Sequence, residues 1–172
     1  TDSGDTFSAG INQPSAPAGN NYGCLGSQPN PIWYYLKIAD PGNINILETN
    51  SNAVDVDFAL WGPFADLADA TNHCGHLAAP IDCSYSTSAI ENIDIIGATT
   101  GQVYLLLITN FSNAPTDITV NQTGGEGSTD CTILTCPYRI GTQSIDLCAN
   151  NGNICVPLDA IQPVPAGVIG MN

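Results

Sequence analysis

The residues best suited to chemistry in this chain lie in the stretch DVDFALWGPF, residues 55–64. Asp55 and Asp57 are one residue apart, so on an extended strand their side chains share one face. Two like charges that close repel each other unless a cation, hydrogen-bond donors or water surround them. The pair therefore has two main interpretations: a calcium site, or two carboxylates that accept hydrogen bonds from a loop backbone.

Carboxylate and carbonyl oxygens are the ligands that Ca²⁺ favours, which keeps the first interpretation open for Asp55 and Asp57. The chain lacks the ligand spacing of an EF-hand loop, which favours the second. A catalytic acid/base pair is disfavoured, because it needs two carboxyl groups in different environments and neighbours on one strand face share theirs. Calcium is the cofactor that this pair suggests.

A second group of ligand-type side chains is the segment HCGH, residues 73–76, followed by Cys83. His73, Cys74, His76 and Cys83 would suit Zn²⁺. In an exported protein, however, Cys74 and Cys83 are expected to form a disulfide, which removes two ligands. No serine nucleophile motif accompanies the histidines, so a hydrolase triad is a weak hypothesis.

The chain holds seven cysteines in 172 residues, which indicates an oxidising compartment. Six of them fall into pairs that are close in sequence and suit disulfides: Cys74 with Cys83, Cys131 with Cys136, and Cys148 with Cys155. Cys24 is left over under that pairing, and a bond from Cys24 to Cys131 is an alternative. The disulfide map cannot be deduced from spacing alone.

The net charge narrows the choice of partners. The chain has 16 acidic residues and two basic ones, which gives a formal charge of −14. Such a field repels nucleic acid and anionic lipid, and the chain lacks the Arg and Lys that hold phosphates. No apolar run is long enough to span a membrane, so nucleic-acid binding and membrane insertion are not expected.

The segments that position these residues have the sequence patterns of β-strands. Apolar residues alternate in IWYYLKI (32–38), NINILE (43–48), VDVDFALW (54–61), ENIDIIG (91–97) and TDITVNQ (116–122), while QVYLLLIT (102–109) is apolar on both faces and should be central. Helical periodicity is almost absent, apart from a short FADLADA segment (64–70). We predict an all-β fold: an antiparallel, jelly-roll-like β-sandwich with a Cys-rich extended C-terminal tail.

Three segments follow from these signals. Residues 1–31 are rich in Gly, Pro, Asn and Ser and predict an extended lead-in that wraps the domain. Residues 32–133 form the sandwich, and residues 134–172 form a disulfide-containing tail or the start of a further β-domain. The apolar GVIGM (167–171) has strand character and would need a sheet edge to pair with.

Alternation also places Trp33, Tyr35 and Trp61 on the faces opposite to the Ile, Leu and Val core positions. An exposed aromatic ring there would be a platform on which a sugar or polymer stacks. The alternative is a sandwich whose central strands are covered on both faces.

Several separated motifs, in order, resemble a known module: NYGCLGSQPNPIWYYLKI, DVDFALWGPF, DCSYS and YLLLITNFSNAPTDITVNQTGGEGSTDC. Residues of about 20–133 resemble the bacterial pre-peptidase C-terminal (PPC) domain, in the version found in large surface proteins exported by type IX secretion. The resemblance implies a β-sandwich that is not an enzyme and belongs to a multidomain adhesin or accompanies a secreted enzyme.

The sequence thus predicts a non-catalytic module at the bacterial cell surface, an adhesion or assembly unit that binds other protein subunits or domains, or an extracellular polymer or glycan. Three alternatives stay open. The chain is a filament subunit, a homopolymer joined by terminal strand exchange; or it is a carbohydrate-binding module of a secreted enzyme; or it is a small hydrolase.

Overall fold

The computed structural model describes residues 5–130 of the chain, which fold into strands with one six-residue helix. The strands are β1 Asp5–Ser8, β2 Pro31–Asp40, β3 Gly42–Asn50, β4 Asp57–Phe64, β5 Asp82–Ser84, β6 Ile90–Ala98, β7 Val103–Thr109, β8 Asp117–Gly124 and β9 Ser128–Thr129. The helix, α1, spans Leu67–Asn72.

The strands form two antiparallel sheets. The four-stranded sheet has the order β1-β8-β3-β6, and the five-stranded sheet has the order β5-β4-β7-β2-β9. The prediction of an all-β antiparallel sandwich is confirmed, and β7 is central in its sheet, as its two apolar faces predicted. The predicted Cys-rich tail, including Cys131, Cys136, Cys148, Cys155 and GVIGM, lies outside the described residues.

The main core lies between the two sheets. It is built from the residues that alternate inward on each strand, and burying their apolar surface is the main driving force for folding. The four-stranded sheet contributes Phe7, Ile44, Ile46, Ile93, Ile95, Ile118 and Val120, and the five-stranded sheet contributes Ile32, Tyr34, Leu36, Ile38, Phe58, Leu60, Tyr104, Leu106 and Ile108.

A third layer covers the outer face of the five-stranded sheet. Ala16 and Leu25 of the segment 9–30 pack there, together with Ala70 of α1 and Leu77. They cover the outward residues of the central strands, among them Trp61. The five-stranded sheet is therefore buried on both faces, whereas the four-stranded sheet keeps one face in solvent.

Strand β4 begins at Asp57, three residues later than the alternation from Val54 predicted. Asn50 contributes several of the hydrogen bonds that hold the preceding loop: it accepts from the Val54 backbone N–H and donates to the carbonyls of Val54 and Ala89. Helix α1 begins after Asp66, whose carboxylate accepts from the Asp69 N–H as an N-cap. Within residues 5–130, no helix has the length and apolar character needed to cross a membrane.

Candidate functional site

Four carboxylates gather where β3 ends and where β4 and β6 begin. We call Glu48, Asp55, Asp57 and Glu91 the carboxylate rim. Three of them are inaccessible to solvent: Glu48 is 0% exposed, Asp57 1% and Glu91 7%. Carboxylates are almost never so deeply buried without partners, which makes this rim the unusual feature of the sandwich.

Glu48 and Glu91 are direct cross-strand partners in the β3–β6 pair. Each continues the inward phase of its strand, after Ile44 and Ile46 on β3 and before Ile93 on β6. Two like charges directly opposite each other destabilise a sheet. At this end of the β3–β6 pair, acids therefore occupy inward positions where the pattern of the strands calls for apolar side chains.

The rim contains very few hydrogen bonds. Ser86 Oγ donates to Glu91 Oε1 at 2.6 Å. Neither carboxylate oxygen of Glu48 or of Asp57 has a hydrogen-bond partner, and the same is true of Asp55 Oδ1. Five buried acceptor atoms are thus unsatisfied on three neighbouring acids, although native proteins leave few such atoms unpaired.

No basic side chain neutralises the rim within the described part of the chain. Lys37 is the only Lys or Arg of residues 5–130. Its Nζ lies 2.7 Å from Asp130 Oδ2 and is committed to that ion pair. The negative charges of the rim are therefore not compensated by Lys or Arg.

Burial and mutual repulsion shift three of these acids in the same direction. Burial raises the pKa of Glu48 well above its ordinary value, and the charges of Glu91 and Asp57 raise it further. The pKa of Asp57 rises to about 7, through burial first and the charge of Asp55 second, although the Ser86 backbone N–H, which is near the carboxylate without meeting hydrogen-bond geometry, lowers it. Burial and the Glu91 charge also raise the pKa of Asp55. Ionisation of these three carboxylic acids is therefore less favourable than in water.

Two further buried oxygens lie at the end of β7, beside Asp57. Thr109 pairs with Asp57 in the β4–β7 register, and its Oγ1 has no hydrogen-bond partner. The next residue, Asn110, uses its Nδ2 to donate to the carbonyls of Gly10 and Ala114, while its Oδ1 is also unsatisfied. These atoms add neutral oxygens to the acidic set.

The sequence singled out Asp55 and Asp57 but missed Glu48 and Glu91. Asp57 is buried, although strand alternation places it on the face of β4 opposite to the core residues Phe58 and Leu60. The alternative interpretation is that both aspartates accept hydrogen bonds from a loop. Asp55 Oδ1 and both carboxylate oxygens of Asp57 accept none. The calcium interpretation stays a prediction, since among residues 5–130 no group of three or more His, Cys, Asp or Glu side chains is already arranged to hold a metal.

The disulfide in the described residues joins Cys24 to Cys83, with a Cα–Cα distance of 6.2 Å. The predicted pairing of Cys83 with Cys74 is therefore wrong, and so is the alternative that joined Cys24 to Cys131. Cys24 lies in the segment 9–30, which crosses the sheet and brings it to β5. A contact between residues 59 apart cannot be read from sequence proximity.

The zinc interpretation of the HCGH segment loses a ligand, because Cys83 is consumed by that disulfide. His73 and His76 are both exposed. His73 packs its ring against Phe64 at 5.4 Å, and its Nδ1 lies 2.9 Å from the Asp69 carbonyl oxygen. These contacts are those of a residue that ends a helix.

The predicted aromatic platform is mostly covered. Trp61 is 2% exposed and Tyr35 8%, so neither ring offers a face to a sugar, and the stacking prediction is wrong for both. Trp33 is half-buried and stacks on Trp61 at 5.5 Å. The Trp61 Nε1 donates to the carbonyls of Asn21 and Ala78, which fixes the third layer on the sheet.

A different aromatic pair is exposed close to the rim. Tyr85 and Phe111 are in edge-to-face contact, with ring centroids 5.5 Å apart. Tyr85 precedes Ser86, and Phe111 precedes Ser112, whose backbone N–H donates to the Asp55 carbonyl. Sequence reasoning missed this pair because both residues lie in loops, where alternation gives no signal.

Comparisons with known proteins add little. No protein-family model matches the chain, and no curated protein matches it. Among solved structures, the chain is similar to PliG of Aeromonas hydrophila, a periplasmic inhibitor of g-type lysozyme, at 12% identity, over 69% of this chain and 86% of that one, with a TM-score of 0.32. So low a TM-score supports no conclusion about fold or function.

Proposed function

We propose that this chain is a non-catalytic module of an exported protein, where it serves as an adhesion or assembly unit. The observation that carries the proposal is the fastening of segment 9–30 across the five-stranded sheet by the Cys24–Cys83 disulfide. Disulfides persist in oxidising compartments outside the cytosol. The resemblance of residues 20–133 to PPC-like surface modules predicts the same role and stays a prediction, since no family model matches the chain.

The open face of the four-stranded sheet is the surface that we assign to the partner. Its side chains form an ordered polar lattice: the Thr6 and Thr119 hydroxyls lie 2.8 Å apart, and Asn45 donates to Asp94 at 2.8 Å. Hydroxyl and amide groups suit another protein domain or an uncharged extracellular polymer. The formal charge of −14 disfavours anionic partners.

The carboxylate rim does not support an enzyme. An acid/base pair works because its two environments push the two pKa values apart. Here burial and repulsion raise the pKa of Glu48, Asp55 and Asp57 together. We assign the rim no part in turnover.

Binding measurements on the full chain test this role. We expect the purified protein to cosediment saturably with intact bacterial cells or an insoluble extracellular polymer, and Asn92→Glu on the open face to weaken that binding at least tenfold. Thr99→Glu, in the exposed β6–β7 turn, is the matched control and should bind as the wild type does. Hydrolytic turnover that disappears in Asp57→Asn would overturn the proposal.

One observation favours a second candidate, a subunit joined by strand addition. β6 is an edge of the four-stranded sheet, nine residues long, and carries Ile90 and Ile96 at 53% and 70% exposure. Long edge strands with exposed apolar side chains accept strands from other chains. The segment GVIGM is the candidate donor, and it lies outside the described residues.

A further inference from the structure

The carboxylate rim contains acids that the described residues leave without a hydrogen-bond donor or an opposite charge. Glu48 is fully buried, close enough to Glu91 and Asp57 for their charges to act on it, and has no hydrogen bond at either oxygen. A buried carboxylate of this kind needs a proton, a donor or a cation. Ser86 Oγ already donates to Glu91, and the Ser86 backbone N–H near Asp57 forms no hydrogen bond with it.

The candidate ligand atoms of the rim are all oxygens. They belong to Glu48 and Asp57, to Glu91 and Asp55 beside them, and to the Thr109 hydroxyl in register with Asp57. Zn²⁺ prefers nitrogen and sulfur ligands, which this set of oxygens does not supply. Several carboxylates together with neutral oxygens match the six to eight ligands that Ca²⁺ takes in flexible geometry, whereas Mg²⁺ demands a near-octahedral set.

We propose that the rim binds one Ca²⁺, with Glu48 and Asp57 as its principal ligands and Glu91 and Asp55 as flanking carboxylates. The ion would link the end of β3 to the starts of β4 and β6, and so join the two sheets at this end of the sandwich. Within residues 5–130 no three of these side chains are already arranged around a metal position, so binding the ion requires the carboxylates of the rim to move toward one another. The inference goes beyond the adhesion role and does not depend on it.

Thermal unfolding of the full chain tests the site. The measurement is the melting temperature at pH 7.5, first in EDTA and then in excess CaCl₂ or MgCl₂. At a hundredfold excess of Ca²⁺ over Kd we expect the melting temperature of the wild type to rise by about 5–10 °C, and by less with Mg²⁺. An unchanged melting temperature would overturn the proposal without any variant.

The variant Glu48→Gln separates a metal site from a proton site, because it removes one charge and keeps the shape of the side chain. We expect its melting temperature in EDTA to exceed that of the wild type, and Ca²⁺ to produce no further rise. Glu126→Gln is the matched control: Glu126 is exposed and lies against Gly42, at the other end of β3. It should respond to Ca²⁺ as the wild type does.

Two results would contradict the assignment. If Glu48→Gln raises the melting temperature while the wild type ignores Ca²⁺, the rim holds a proton and no metal. If both Glu48→Gln and Asp57→Asn keep the full response to Ca²⁺, the ion binds elsewhere. Should Glu48→Gln fail to fold, Asp57→Asn alone makes the same distinction, with loss of the Ca²⁺ response expected and its retention contradictory.

Discussion

At the scale of single residues, Asn50 organises the loop that delivers Asp55 and Asp57 to the rim. Its Nδ2 donates to two backbone carbonyls at 2.9 Å, and its Oδ1 accepts from the Val54 N–H at 2.9 Å and from Thr116 Oγ1 at 3.1 Å. All its hydrogen-bonding capacity is used. Asn50 therefore contributes more hydrogen bonds to this loop than Asp55, whose backbone N–H donates to Ser112 Oγ and whose carbonyl accepts from the Ser112 N–H.

We predict that Asn50→Ala lowers the free energy of unfolding by about 2–4 kcal/mol, because it removes four hydrogen bonds and leaves part-buried backbone groups without partners. Urea denaturation followed by tryptophan fluorescence measures the loss. Asn92→Ala, an exposed asparagine on β6, is the control and should stay within about 0.5 kcal/mol of the wild type. Equal effects for the two variants would show that Asn50 has no special role.

The raised pKa values predict how the calcium-free protein responds to pH. Folding favours the protonated form of Asp57, whose pKa rises from 3.8 to about 7, and the protonated form of Glu48. The folded chain binds more protons than the unfolded chain across this range, so the free energy of unfolding falls as pH rises from about 4 to 7. Urea denaturation with a chelator at pH 4.5, 5.5 and 6.5 measures the slope.

The control for that slope is again a pair of matched variants. Glu48→Gln should flatten the pH dependence, because it removes one acid with a raised pKa, while Glu126→Gln should leave it unchanged. Stability that increases from pH 4.5 to 6.5 in the wild type would contradict the electrostatic account of the rim.

Apolar alternation along the strands predicts some residues of the rim and misses others. Alternation placed Asp55 and Asp57 together and put Ile44 and Ile46 inward, so the same phase predicted Glu48 inward as well. Glu48 was missed because a charged residue at a strand end is ordinarily assigned to solvent. The cross-strand contact with Glu91 depends on the β3–β6 register, which no local pattern fixes.

At the scale of elements, the third layer buries the outward residues of the five-stranded sheet, which would otherwise face solvent. Strand signals identified β2, β3, β6, β7 and β8 to within a few residues, because apolar alternation reports a buried face directly. The sequence left open whether Trp61 and Tyr35 face solvent or are covered, because the segment that covers them lacks a periodic pattern; the covered alternative is confirmed. A Gly- and Pro-rich segment packs through single side chains such as Leu25, which local reasoning cannot place.

The Cys24–Cys83 bond is the covalent tie of this layer, so its removal should weaken the layer first. We predict that the double variant Cys24→Ser, Cys83→Ser loses roughly 2–5 kcal/mol of unfolding free energy, because the bond closes a long loop of the unfolded chain. Limited proteolysis should then cut residues 9–30 faster than in the wild type.

A reductant serves as the control for the disulfide, so no third variant is needed. A reductant should destabilise the wild type and leave the stability of the double variant unchanged, if Cys24–Cys83 is the bond that matters. Equal proteolysis of the wild type and the double variant would show that Leu25, Ala16 and the Trp61 hydrogen bonds hold the layer without it.

At the scale of the whole molecule, the two sheets differ in what they offer to partners. The five-stranded sheet is closed on both faces, whereas the four-stranded sheet presents an open polar face and the long edge strand β6. The adhesion role uses the face, and the filament role would use the edge. The two roles therefore predict different states in solution.

We expect the purified chain to be monodisperse and of single-chain mass in light scattering, as befits a module that binds through a face. Fibres seen by electron microscopy and abolished by Ile96→Lys, but not by Thr99→Lys, would instead identify β6 as an acceptor edge. Ile96 is 70% exposed, so the substitution places a charge on the edge without disturbing the core.

The most direct test of the account is the position of calcium in a crystal of the full chain grown with CaCl₂. We predict anomalous density for one ion within about 2.3–2.6 Å of oxygens from both Glu48 and Asp57. A well-ordered rim without an ion, in which Glu48 forms hydrogen bonds as a neutral acid, would contradict it.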